Sequence, residues 1–590
     1  MKRKKIALAI AAAFVGMSQA YAGSIAFTEV PVPTTDAQQR QVVASPSAVV
    51  DGRTVNIGFH TILRSGDKKK GVYGQIFDVD GSPLLAADGS PVISSDNDFA
   101  SLLQGRHGNL FMVSHFESRP AAMYLTELDQ KRNGELVAKR TRALDFSHVK
   151  GGWVHCAGSV TPWGTHLGSE EYEPDAKQWR DGNISAYNAA MATYFKADPA
   201  DAMSAVNPYD YGYPVEVKVD GFDDAQVVKR YAMGRLALEL AYVMPDGKTA
   251  YMSDDGTNVG LYRFVADEEG DLSAGTLWAA QWNQKSSDGM GAAKINWISL
   301  GSATDAQVKG WIDQYKFADI FDELAPAGGA CASGYTSINA GHEGAIHQCL
   351  KLKDINGDSK INATDELIAS RLETRRWIAM EGATTEFRKM EGITFNPDAG
   401  QLYLAMSEIG KGMENNTGSD VGGPNRIRVA KNNCGGVYAL DVDGNYVATN
   451  MYGLIAGTPV SGDSKNTCDL NGLANPDNIT YLPGYDTLII GEDTGSGHQN
   501  DAIWSYNLDS RKLTRIETTP YGSETTSPYF YPNLNGHAYI MSVVQHPYGE
   551  SDSDKLENPG QARAYTGYIG PFPAMDGEKK HGHHHWRHHR

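Results

Sequence analysis

Gly436-Val437-Tyr438-Ala439-Leu440-Asp441-Val442-Asp443-Gly444 is a short apolar run with an early aromatic residue and an Asp-Gly turn at its end. Gly71-Val72-Tyr73-Gly74-Gln75-Ile76-Phe77-Asp78-Val79-Asp80-Gly81 has the same design. Asp-Gly after an alternating apolar run is a strong hairpin signal, because the turn needs positive φ at both central residues. Leu261-Tyr262-Arg263-Phe264-Val265 and Ile503-Trp504-Ser505-Tyr506-Asn507-Leu508 are related runs that also end in polar turns. A recurring aromatic strand followed by a turn predicts a mainly β protein, with its strands arranged as the blades of a β-propeller. The repeat has no strict period, so a pair of β-sandwiches is the competing architecture.

Outward from these runs, the propeller is expected to occupy residues 23–575. One stretch, residues 303–380, breaks the strand pattern with helix-like runs at Asp305–Phe321 and Thr364–Trp377. It predicts an α-rich insertion. Residues 576–590 are charged and His-rich and predict a disordered tail. Its histidines 581, 583, 584, 585, 588 and 589 could also bind zinc, nickel or copper.

At the other end, Lys2, Arg3, Lys4 and Lys5 precede an apolar run from Ile6 to Val15, and Ala20-Tyr21-Ala22 is a small-x-small cleavage site. Residues 1–22 therefore read as a secretory signal peptide, too short for a stable membrane span. With no Arg-Arg pair, the general secretory route is expected, and the mature protein is periplasmic or secreted. No later segment reaches the length of a membrane helix. A formal net charge of −18 lacks the basic footprint that nucleic-acid binding needs. Excess carboxylates make sense beside an anionic substrate if they hold cations, which invert the local field. The five cysteines allow two disulfides in an oxidising compartment and leave one over. Proximity favours Cys331–Cys349 with Cys434–Cys468, one of three connectivities for those four, and leaves Cys156.

Asp354-Ile355-Asn356-Gly357-Asp358-Ser359-Lys360-Ile361-Asn362-Ala363-Thr364-Asp365 has the spacing of a calcium loop. Asp354, Asn356 and Asp358 stand at ligand positions 1, 3 and 5. Lys360 offers its carbonyl at position 7, and Asp365 stands at position 12. The loop resembles the dockerin-type loop, with Ser359 in place of the usual glycine. Its alternative is an Asp/Asn-rich turn without metal. As a calcium site it would staple the insertion, because a saturated loop leaves no open position for substrate.

A second constellation is dispersed. It runs through His155-Cys156-Ala157-Gly158, Thr161-Pro162-Trp163-Gly164-Thr165 and Ser169-Glu170-Glu171-Tyr172-Glu173. It continues through Met233-Gly234-Arg235-Leu236-Ala237-Leu238-Glu239, Tyr251-Met252-Ser253-Asp254-Asp255 and Glu391-Gly392-Ile393. It ends with Asn475-Pro476-Asp477-Asn478, Ile490-Gly491-Glu492-Asp493 and Gln545-His546-Pro547. Several of these carboxylates stand at or just after a short apolar strand, where a propeller would bring them to its channel. For any one of them an exposed turn residue is the simpler reading; together they would repel unless cations neutralise them.

In this order the motifs resemble the PhoX-type alkaline phosphatases, over roughly Cys156 to Pro547. The resemblance implies a propeller holding iron and calcium, with Cys156 as an iron thiolate. It places Glu171, Glu239, Glu391, Asp477 and Glu492 as candidate carboxylate ligands. It implies metal-assisted hydrolysis of a small phosphate ester, with Arg388, Lys389 and Arg235 as candidate phosphate-contacting cations. The sequence departs from the family where an Arg-Pro usually precedes the Glu-Gly-Ile glutamate. Lys389 and Met390 stand there, and lysine lacks arginine's planar clamp. The competing functions are a propeller hydrolase of phytate or lactones, and a non-enzymatic, calcium-stabilised binding propeller. His342-Glu343-Gly344-Ala345-Ile346-His347 imitates a zinc-protease helix, but its histidines are five apart. On a helix they would lie about 140° apart, not about 40°, and could not share a face.

Overall fold

Three of the four aromatic runs are third strands of consecutive antiparallel units: Leu261–Glu268, Gly436–Asp441 and Ala502–Asn507. The computed structural model describes residues 23–105 and 108–576. The expected signal peptide, and the His-rich tail beyond Asp576, lie outside the described residues.

The β-propeller expectation is met. Blade I comprises Ala100–Gln104, Leu110–Phe116, Ala122–Gln130 and Leu136–Ala143. Blade II comprises Gly158–Val160, His166–Gly168, Val215–Gly221 and Asp224–Lys229. Blade III starts with Leu238–Val243, Thr249–Asp254 and Leu261–Glu268 and continues into the long strands Asp271–Ser286 and Ala292–Thr304. The last of these pairs with Asn450–Ala456, so blade III is hydrogen-bonded to the outer edge of blade IV. Blade IV is Met390–Asn396, Gln401–Met406, Gly436–Asp441 and Asn450–Ala456; blade V is Pro476–Leu482, Thr487–Glu492, Ala502–Asn507 and Leu513–Thr518. Blade VI takes Glu524–Thr526, His537–Gln545 and Tyr565–Pro573 from one end of the described chain and Gly58–Arg64 from the other. This pairing closes the ring; the innermost strands pack against one another in order from blade I to blade VI, and the second strand of blade VI, His537–Gln545, packs on the innermost strand of blade I.

An apolar layer fills each gap between blades, as facing sheets require. Between blades I and II it contains Phe111, Val113 and Leu125 against Val215 and Val217. Between IV and V, Tyr403, Val437 and Ala439 meet Ile479, Ile490 and Trp504. Fully burying one large apolar side chain of this kind is worth about 1.5–3 kcal/mol. The aromatic residue of the sequence repeat is such a residue: Tyr262, Tyr438 and Trp504 are all buried.

The fourth aromatic run departs from expectation. Residues 71–81 make isolated bridges, including Gln75 with Ile93 and Phe77 with Pro83, and no extended strand. The turn is present, with Gly81 N donating to Asp78 O at 3.0 Å. The run has no partner strand for a continuous ladder; Tyr73 is instead buried against Phe116 and Tyr124 of blade I and bonded to Thr566 of blade VI.

The insertion carries a small sheet beside its helices. The expected helix at Asp305–Phe321 stops at Gln314, resumes at Phe317–Ile320 and passes into a strand, Phe321–Leu324. That strand and Thr336–Asn339 flank His347–Leu352. The Cys331–Cys349 disulfide ties this small sheet to the preceding loop. The second helical run divides at Glu373 into Ala363–Leu372 and Thr374–Met380. Val308, Ile312, Ile368 and Ile378 share one core with Tyr262, Phe264 and Leu277 of blade III, so the insertion packs directly on the propeller. A second disulfide, Cys434–Cys468, joins the loops of blades IV and V and leaves Cys156 free and buried. Both pairings favoured by proximity are present.

Candidate metal centre

Each blade brings one side chain of a type that could hold a metal to the same mouth of the channel, at or just before the start of its innermost strand. These are Asp98, Cys156, Glu239, Glu391, Asp477 and Glu524, in blades I to VI respectively. In blades III, IV and V the register slips beside the acid, between Leu238 and Leu240, Met390 and Ile393, and Pro476 and Ile479. Such a bulge turns a side chain out of the pleat and re-aims it. Gly392 allows blades IV and V to approach beside two of these acids; a Cβ there would stand 2.8 Å from Ile479 N.

A second tier comes from the residue that follows the second strand. Glu117, Asp255, Asp493 and His546 occupy this position in blades I, III, V and VI; in blade II the tier is filled by Glu171, three residues beyond the strand end at Gly168. In blade IV the place is held by Ser407, whose hydroxyl donates to Glu391 Oε1 at 2.5 Å. The two tiers surround a polar cavity of about 240 Å³ that is also lined by Lys389, Tyr172, Tyr187, Asp96, Gln545 and Glu550.

Three ligand triads lie side by side: Asp98–Glu117–Cys156, Cys156–Glu171–Glu239 and Glu239–Glu391–Asp477. Within each, the ligand atoms approach one another within 4.8 Å, and Cys156 and Glu239 are each shared by two triads. Asp98 Oδ1 and Glu239 Oε1 are buried without a hydrogen-bond partner among the described residues. Buried carboxylate oxygens with no donor, crowded by like charges, fit cations. A thiol among hard oxygens suits a transition metal, and the all-carboxylate triad suits a hard cation.

The electrostatics without cations are those of a mutual standoff. Burial pushes Glu117 up to about 7. Burial and then Asp255 push Glu391 up to about 8. Burial, then a neighbouring carboxylate, raises Asp98, Glu171, Glu239, Asp477 and Glu524 well above their ordinary range. Burial and Asp98 do the same to the Cys156 thiol. Lys389 is the cation inside the ring, with Nζ 3.4 Å from Asp255, 3.5 Å from Glu391 and 4.0 Å from Asp493. Burial pulls its pKa down, but these acids outweigh it and hold the ammonium charged. Burial also works against the Asp255 anion, which Lys389 and hydrogen bonds from Glu171 and Tyr172 nevertheless keep below the ordinary range.

Residues 109–547 match the family model of the alkaline phosphatase PhoX, well over half of the chain. The chain belongs to the PhoX family. It is accordingly a phosphoester hydrolase. Among solved structures, PhoX of Pseudomonas fluorescens, determined in complex with vanadate, is similar at 18% identity with a TM-score of 0.59. That match covers 94% of this chain and 98% of the other. A putative 6-phosphogluconolactonase of Bacteroides uniformis is a distant likeness, at 12% identity and a TM-score of 0.27, covering 77% of this chain and 94% of that one. No curated protein is detectably similar in sequence.

The PhoX-matched segment begins inside blade I and ends at the second tier of blade VI. Cys156, Glu171, Glu239, Glu391, Asp477 and Lys389, all expected from sequence, meet at the cavity. Glu492 does not. It is buried, and its carboxylate accepts from Trp504 Nε1, His498 Nδ1 and the amides of Ala474 and Ala502. Those four donors satisfy it, and Asp493, one residue on, lines the cavity instead. Arg235 is also elsewhere: its guanidinium donates to the carbonyls of Tyr211, Leu372, Pro174 and Pro208. Arg388 faces an adjoining cavity and pairs with Glu408 at 2.5 Å.

The calcium-loop residues are not among those lining the cavity. Asp354 accepts from the amides of Gly357, Asp358 and Ser359, and Asn356 from Asp358. Asp358 accepts from Lys360 N, and Lys360 O from Asn362 Nδ2. Asp365 accepts from Ile355, Asn356 and Asn362 and completes the capping box of helix Ala363–Leu372. The sequence reading missed Asp96, Asp98, Glu117 and Glu524. Each lies at a blade-strand boundary; position within the blade repeat was the signal for them.

Proposed function

We propose that this chain is an exported, metal-dependent phosphomonoesterase whose centre holds iron and calcium. The observation that carries the reading is the convergence of one thiol and four carboxylates, one from each of blades II to VI, on a single cavity, with Asp98 of blade I beside the thiol. In this reading Cys156, which belongs to two of the triads, would hold the iron as its thiolate. Glu171, Glu239, Glu391 and Asp477 are further ligands, joined by Asp98, Glu117 and Asp493. Bound cations would supply Lewis-acid stabilisation of the phosphoryl charge.

The chain's own residues then bind and orient. Lys389 stands at the one cationic point of the ring and would contact a phosphoryl oxygen, as a point charge rather than a planar clamp. Tyr172 donates to Asp255 Oδ2 and the Gly256 amide to Oδ1, which together fix that carboxylate in the cavity wall. The ring of blades holds these groups on rigid strand ends, the positioning on which phosphoryl transfer depends. The Pseudomonas fluorescens structure supports the reading, because its vanadate is described as a transition state analogue. Two disulfides, and no described helix long and apolar enough to cross a membrane, agree with an oxidising compartment outside the cytoplasm. A calcium ion at Asp354–Asp365 would staple the insertion, apart from the chemistry.

The test is elemental analysis of protein purified without chelator, with p-nitrophenyl phosphate hydrolysis measured on the same sample. Iron and calcium with turnover are expected. Cys156→Ser should lower bound iron and activity together. Full activity at normal metal content in that variant would refute the assignment, and calcium without turnover would favour the binding-propeller alternative.

A further inference from the structure

The cavity of the candidate metal centre adjoins a second cavity of about 380 Å³, and the two share Tyr172, Asp255 and Lys389 in their walls. One wall of the second cavity belongs to the insertion, residues 342–345; the other carries Arg388, Lys411 and Ser419 of blade IV and its loops. The insertion wall is fixed in place. Thr257 N donates to His342 O at 2.8 Å, and Thr257 bridges Glu343. Gly256 permits this approach: its φ is +124°, and a Cβ there would stand 2.5 Å from His342 O. The His342 ring stacks on Tyr172, with centroids 5.9 Å apart, and so continues a flat wall from the metal cavity into the side cavity.

The charges of this side cavity differ from those of the metal ring. Arg388 is held by Glu408 and Thr257. Lys389 is divided among three carboxylates. Lys411 Nζ has no hydrogen bond or ion pair among the described residues, while the nearby acid Glu343 accepts from Gln178. Beside a cavity ringed by acids, the structure thus offers one uncommitted ammonium, set in a contiguous pocket of a size to take a small organic group.

We infer that the side cavity is the leaving-group subsite, and that it selects phosphate esters whose alcohol portion carries a second anionic group, recognised by Lys411. This rests on the phosphatase reading of the adjoining centre. The insertion thereby acquires a role in specificity, because its residues 342–345 close the wall opposite Lys411. Substrates with a neutral alcohol would fill the same space without meeting the ammonium.

The experiment compares kcat/KM for 3-phosphoglycerate and glycerol 3-phosphate, which differ only by a carboxylate in place of a hydroxymethyl group. It uses the metal-loaded full chain, with p-nitrophenyl phosphate as reference. The carboxylate substrate should be preferred about fivefold, the upper range for a solvated ion pair. Lys411→Ala should bring the ratio toward one, and Lys411→Arg should keep it. Raised ionic strength should lower the wild-type ratio. A ratio of one or less in the wild type, or one untouched by Lys411→Ala, overturns the subsite while the phosphatase reading stands. Failure on all three substrates overturns both.

Discussion

Stripping the cations should make the protein's stability fall steeply as pH rises from 7 to 8, and reloading them should flatten that fall. The reasoning starts from Glu391, whose pKa is pushed up to about 8 by burial and Asp255. In the unfolded chain a glutamate titrates near 4.3, so at pH 7 it is ionised there and still protonated in the folded apo-protein. The folded state then binds one more proton than the unfolded state, and stability is lost as pH rises through the folded pKa. One such group, with a folded pKa of about 8, lowers the unfolding free energy by about 1 kcal/mol between pH 7 and 8. Glu171, Glu239, Asp477, Asp98 and Glu524 are shifted in the same direction, so this is the smallest slope the ring should contribute. Glu386 and Glu517, each pushed up to about 8 by burial, give a background slope of the same sign, but they lie outside the ring and contribute with or without cations. Below pH 6.5 the signs mix. His115, His155 and His166 are held neutral by burial, and they add stability as pH rises toward the unfolded histidine value. The window from 7 to 8 avoids them. Urea unfolding of chelated and reloaded protein at pH 7.0, 7.5 and 8.0 gives the two slopes. The chelated slope should exceed the reloaded one by at least about 1 kcal/mol per pH unit. Equal slopes would mean that cations do not displace protons from these carboxylates, and the metal-centre reasoning would fail.

Three further variants separate structural from functional charges. Asp493→Asn should lower kcat/KM about 10- to 100-fold with little change in stability. Glu492→Gln should do the reverse, turning an amide toward four donors at a cost of about 2–4 kcal/mol by chemical unfolding. Arg375→Ala should cost about 3–5 kcal/mol in the same assay, because it strands the buried carboxylates of Glu173 and Asp254 that the guanidinium joins to the insertion.

The propeller was legible because its repeated unit is local. An aromatic strand and a polar turn are one hairpin's worth of sequence, and three of the four quoted runs occupy the same place in their blades. The fourth, at 71–81, has the same local chemistry but no neighbour with which to pair, and pairing is a property of the whole fold. The site was legible only to within one residue. Asp254–Asp255 and Glu492–Asp493 are adjacent acid pairs at the ends of second strands, and Glu170–Glu171 is a third such pair in the loop just beyond Gly168. In each, the first acid turns into the protein and is satisfied there. Glu170 meets Lys229 and the amides of Gly212 and Tyr213, Asp254 meets Arg375, and Glu492 meets Trp504 and His498. The second acid faces the cavity. Successive side chains point to opposite faces of a strand, so a one-residue shift exchanges the structural acid for the functional one. Composition and spacing are blind to that shift; blade register is not. The same rule, applied to the strand ends of blades I and VI, leads to Glu117 and His546. The six-fold repeat of the backbone is therefore the better guide to the remaining ligands, since the chemistry at equivalent positions changes from thiol to carboxylate to imidazole while the position stays the same.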